Sequence, residues 1–80
     1  MVYKTKGVCS QLINVEVENN IVTSVEFVGG CNGNTQGVAA LVEGMDVHGA
    51  IRRLEGIHCG PRPTSCPDQL SKALKQAIGE

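Results

Sequence analysis

The stretch Ile13-Asn14-Val15-Glu16-Val17-Glu18-Asn19-Asn20-Ile21-Val22-Thr23-Ser24-Val25-Glu26-Phe27 decides how the chain begins to fold. Ile13, Val15 and Val17 alternate with Asn14, Glu16 and Glu18. Period two is the mark of a half-buried strand. After Asn19-Asn20 a second run places Ile21, Thr23, Val25 and Phe27 on one face. A two-residue Asn19-Asn20 turn pairs Val17 with Val22 and brings opposite faces together. A three-residue loop, Glu18-Asn19-Asn20, pairs Val17 with Ile21, Val15 with Thr23 and Ile13 with Val25. The apolar faces then agree, and Asn20 takes the left-handed conformation that Asn tolerates. A shorter strand around Val2 to Lys6 adds to this hairpin, which gives a three-stranded antiparallel sheet.

Working outward, the character changes at Gly29-Gly30-Cys31-Asn32-Gly33-Asn34, a loop rich in Gly and Asn. Asn34 or Thr35 then caps a helix to about Glu43, with Val38, Leu41 and Val42 as its apolar stripe, and Gly44 ends it. Asp46 caps a second helix with Val47, Ala50, Ile51 and Leu54 on one face, closed by Gly56. The segment from His58 to Cys66 holds two prolines and a glycine and is irregular. In the last helix Pro67 suits the first position, which makes Cys66 the N-cap. Leu70, Ala73, Leu74, Ala77 and Ile78 follow the helical spacing, and Gly79 terminates it. The expected fold class is α+β: a three-stranded antiparallel sheet followed by three helices packed on one face, one domain over residues 1–80.

Eighty residues bury only about 60% of the unfolded surface, so such a domain is marginal by area alone. One Tyr, one Phe and no Trp leave a core of Val, Ile, Leu and Ala. Thin cores of this size tend to carry a disulfide, a metal or a partner subunit. The net charge is −1 with both signs interspersed. That counts against nucleic acid as a partner. Arg52, Arg53 and Arg62 form a small local excess that a solvated face explains. No apolar run follows the two lysines at the start, so no signal peptide is expected. No membrane span is expected either. A cytoplasmic, reducing location follows, in which four cysteines point to metal or redox chemistry before structural disulfides.

Those cysteines are Cys9, Cys31, Cys59 and Cys66. All lie in predicted loops or at element edges. Cys31 and Cys66 stand near helix starts, where the partial positive charge favours a thiolate. The chain has no Cys-x₂-Cys knuckle, so spacing alone is a weak metal signal. One such cysteine reads best as a small buried hydrophobe. Four outside the apolar periodic positions read better as a shared site. His58 is an alternative ligand beside Cys59, and His48 reads as a surface residue. Gly29, Gly30, Gly33 and Gly37 lack the Lys-Ser/Thr of a phosphate loop and instead let the backbone wrap around Cys31.

The run Thr64-Ser65-Cys66-Pro67-Asp68 reads T-S-C-P-D. Together with Cys9, the Gly-Gly-Cys-Asn-Gly-Asn run at 29–34 and His58-Cys59-Gly60, it closely resembles the TSCPD domain family over nearly the whole chain. That family occurs as small stand-alone bacterial proteins and at the C-terminus of adenosylcobalamin-dependent ribonucleotide reductases, enzymes of DNA synthesis. The resemblance implies that the cysteines bind metal or support redox turnover. Stand-alone members are often labelled ribonucleoside-diphosphate reductase, but eighty residues leave no room for the large catalytic barrel. A more distant likeness is to NifU-type iron–sulfur scaffold proteins, which share a cysteine, a hairpin, a Gly-Cys turn, two helices and a cysteine before a final helix. The scaffold has an Asp two residues after its first cysteine where this chain has Gln11, which counts against cluster assembly.

Three functions follow as expectations. The first is a zinc-binding accessory module with Cys9, Cys31, Cys59 and Cys66 as ligands. The second is a redox module in which Cys59 and Cys66 cycle between dithiol and disulfide for a ribonucleotide reductase. The third is an iron–sulfur scaffold-like or other protein-binding role. Independent enzyme activity is the least favoured, because no general base, carboxylate pair or nucleotide loop accompanies the thiols.

Overall fold

A computed structural model of the chain describes residues 1–8, 10–29 and 32–80. The element order is β1 (Val2–Lys4), β2 (Ser10–Glu18), β3 (Ile21–Gly29), α1 (Asn32–Val42), α2 (Val47–Leu54) and α3 (Cys66–Ala77). The strands form one antiparallel sheet in the order β1-β2-β3. The expected α+β class, with its sheet followed by three helices, is what the chain adopts.

The hairpin register differs from the expected one. Asn19 and Asn20 form a two-residue turn, with φ of 52° and 64°. Positive φ at both central residues is the turn whose twist matches the strands. Glu18 pairs with Ile21 and Val17 with Val22, but Glu16 then pairs with Ser24. Thr23 is therefore an extra residue on β3, a β-bulge that shifts the phase of the strand by one. The Thr23 hydroxyl donates to the Glu16 carbonyl at 3.1 Å across this irregularity. The bulge buries Val22 and Val25 with Ile13 and Val15, while Ile21 and Thr23 face solvent. The face conflict that argued against the short turn is resolved by one inserted residue. Asn20→Val is expected to cost about 1–2 kcal/mol, because a β-branched residue resists the left-handed region. An unchanged urea midpoint would contradict this account of the turn.

The α1–α2 link covers the start of β3. Val22 N–H donates to the Met45 carbonyl, Gly44 N–H to Val22 and Val47 N–H to Asn20, at 2.9, 2.7 and 2.8 Å. Asp46 caps α2 as expected, its carboxylate accepting from Gly49 N–H at 2.9 Å. Helix α1 begins earlier than the Asn34 or Thr35 cap expected for it, and its inward positions are Thr35, Val38, Ala39 and Val42. Leu41, expected in the stripe, is 79% exposed. A shift of one residue on a helix turns a side chain by roughly 100°, enough to move Leu41 off the buried face.

The core lies between the sheet and the helices and is aliphatic. Ile13, Val15 and Val22 from the hairpin meet Val42, Val47, Ala50 and Ile51 from α1 and α2 and Leu70, Ala73 and Leu74 from α3. Each large side chain contributes roughly 1.5–3 kcal/mol by leaving water. Tyr3 and Phe27 pack only at the margin.

Candidate functional site

Helix α3 begins one residue earlier than a Cys66 cap would require. Ser65 is the N-cap, with extended backbone, and its hydroxyl accepts from Asp68 N–H at 3.1 Å. Cys66 is thus the first helical residue and Pro67 the second. Neither amide has an intrahelical acceptor, so proline there costs no hydrogen bond. The spacing Ser65-x-x-Asp68 is that of a capping box. The Asp68 carboxylate, however, does not turn back to Ser65. Its Oδ1 accepts from Gly56 N–H at 2.8 Å and its Oδ2 from the Thr64 hydroxyl at 2.5 Å.

Asp68 is buried, yet it is fully engaged. Burial pushes its carboxyl up, but the Thr64 hydroxyl, the Gly56 amide and the Lys72 ammonium at 3.7 Å outweigh that and hold it below its ordinary value. A lowered folded-state value means stability that is present above the unfolded value of about 3.9 and is lost as pH falls through the folded one. The acid arm of a stability-versus-pH curve should therefore be steeper below about pH 4 in the native chain than in Asp68→Asn. Superimposable acid arms would refute this role of the carboxylate.

The same network reaches further. Thr64 Oγ1 accepts from Gln69 Nε2 at 3.0 Å, and Gln69 Oε1 accepts from Lys6 N–H at 3.1 Å. Ser65 Oγ donates to the Ile57 carbonyl at 2.6 Å. Thr64, Ser65 and Asp68 are all buried. Three of the five residues in the Thr64–Asp68 run thus build a polar scaffold, proline fits the helix start, and Cys66 is the side chain presented.

Cys66 is half-buried, and its Sγ lies 3.2 Å from Ser10 Oγ at the start of β2. Cys59 is exposed on the preceding loop. Both are free thiols. They line one cleft of about 340 Å³ with Ser65, Pro67 and Asn34, Thr35 and Val38 of α1. Among the described residues, no carboxylate or cationic side chain belongs to that lining. The structure therefore brings Cys59 and Cys66 to one place. Cys9 and Cys31 lie outside the described residues. His58 is exposed beside Cys59 and does not line the cleft. Among the described residues no group of three or more His, Cys, Asp or Glu side chains is placed to hold a metal ion. His48 is on the surface as expected, 3.5 Å from Glu80.

Sequence reasoning missed Thr64, Ser65 and Asp68 as a unit. The capping-box spacing was the available signal, and reading Pro67 as the first helical position hid it.

The model of the TSCPD domain family matches residues 1–78 of the chain. The chain belongs to the TSCPD domain family. This TSCPD domain is thus of the type associated with ribonucleotide reductases. No curated protein and no solved structure matches it. Among the described residues, no helix of the TSCPD domain is long and apolar enough to cross a membrane.

Proposed function

We propose that this TSCPD domain is a metal-binding accessory module of a ribonucleotide reductase, acting in the cytoplasm, with Cys9, Cys31, Cys59 and Cys66 holding one Zn²⁺ as thiolates. The observation that carries the reading is the shared cleft of Cys59 and Cys66. Two covalent neighbours extend it. Cys9 precedes Ser10, whose hydroxyl touches Cys66. Cys31 precedes Asn32, the first residue of α1, and α1 supplies Asn34 and Thr35 to the cleft. The donor chemistry fits: soft thiols in a cleft without carboxylates among its described residues suit zinc, and four of them close its tetrahedral shell. A closed shell is structural, and such a module works by holding its shape and partner rather than by catalysis. His58 is the replacement ligand if one thiol stays apart. The test is zinc content beside a thiol count in native and denatured protein. About one zinc per chain with thiols protected until denaturation is expected. Four freely titrating thiols with neither zinc nor iron would refute the reading.

A second reading rests on the exposure of Cys59 next to the half-buried Cys66. The pair would cycle between dithiol and disulfide and pass two electrons to a reductase disulfide. Unchanged reductase turnover with Cys66→Ser would exclude it. An iron–sulfur scaffold role is distinguished by anaerobic reconstitution with iron and sulfide, which gives visible absorbance that a zinc site lacks.

A further inference from the structure

We propose that Asp68 is a positioning residue: its carboxylate closes the loop between α2 and α3 and so holds Cys59 against Cys66. The proposal rests on the two cysteines acting together, as in the reading above.

The loop that carries Cys59 has no core of its own. Residues 55–63 are all exposed. What holds it is a ladder of polar links. At its root, Asp68 Oδ1 accepts from Gly56 N–H and Oδ2 from Thr64 Oγ1, so one carboxylate grips both ends of the loop. Next, Ser65 Oγ donates to the Ile57 carbonyl. Towards the tip, Cys59 N–H donates to the Thr64 carbonyl at 3.2 Å and Arg62 N–H donates to the Cys59 carbonyl at 3.0 Å. Cys66 needs none of this, because it is part of α3 and α3 is packed through Leu70, Ala73 and Leu74. The cap of α3 does not need the carboxylate either, since the Ser65 hydroxyl serves Asp68 N–H. The distance between the two thiols is therefore governed by the ladder and not by hydrophobic packing. Opening the root frees the thiol at the tip while the helix stays in place.

Asp68→Asn keeps the shape but turns one accepting oxygen into a donor that faces another donor. Thr64→Val removes the hydroxyl at constant volume, and Thr64→Ser restores it. Amide hydrogen exchange at Cys59 and Arg62 should quicken about 10- to 100-fold in Asp68→Asn and Thr64→Val, while Thr64→Ser and the Ala73 and Leu74 amides change little. Zinc release to a competing chelator should accelerate over a similar range of about 10- to 100-fold in the first two variants. Unchanged exchange at Cys59 and Arg62, or equal acceleration in the loop and in α3, would overturn the proposal. If native protein holds no zinc, the zinc reading fails and the exchange measurement still decides whether Asp68 positions Cys59. If Asp68→Asn does not fold, the Thr64 pair decides it.

Discussion

Leu74→Ala is expected to lower the unfolding free energy by about 2–5 kcal/mol. Leu74 is fully buried, and α3 packs it with Leu70 against the sheet and the other helices. A domain of this size holds roughly 4–12 kcal/mol in total, so the variant approaches the limit of folding. The aliphatic core offers few ways to refill the space, because its two aromatic residues lie at the margin. Leu41→Ala is the matched control. Leu41 is 79% exposed, and its truncation should stay within about 0.5 kcal/mol. Urea unfolding of the two variants checks both values. A loss below about 1 kcal/mol at Leu74 would contradict the burial on which the fold is argued.

Removal of the proposed zinc is the second large effect. A ligand that binds only the folded state stabilises it in proportion to the logarithm of its free concentration over Kd, about 4 kcal/mol at a thousandfold excess. Four ligands that lie in sequence before β2, before α1, in the α2–α3 loop and in α3 would tie all parts of the chain together. Chelation should therefore lower the urea midpoint and quicken amide exchange around the cleft first, while the core of Ile13, Val15, Leu70 and Leu74 keeps the highest protection. The same midpoint with and without chelator would mean that no metal supports the fold.

Much of the fold was legible because burial left its period in the sequence. Helices α2 and α3 were readable from their apolar spacing, and Asp46 and Gly56 marked the limits of α2. The hairpin was readable as a hairpin, but its register was not. Strict alternation from Ile21 to Phe27 assumes an unbroken ladder, and the bulge at Thr23 breaks it. A bulge leaves no mark in period, only in pairing. Leu41 misled because an apolar residue next to a stripe looks like part of it, and only the packed helix shows which way it points.

At the site, Cys59 and Cys66 were legible as neighbours from their nearness in sequence, and both line one cleft. The role of Asp68 was not legible. A carboxylate in the first turn of a helix usually reads as a partner for the helix dipole. Here it is buried and bonded to Gly56 and Thr64 on a separate loop. Such long contacts depend on where the loop returns, which no local pattern encodes.

In the proposed site four thiols close the shell of one zinc ion. Zinc-edge X-ray absorption of the chain, purified without added metal, tests it most directly. The account predicts a first shell of four sulfur atoms at about 2.3 Å and no lighter scatterer. A shell containing nitrogen or oxygen, or an absorption edge too weak for one zinc per chain, would contradict it.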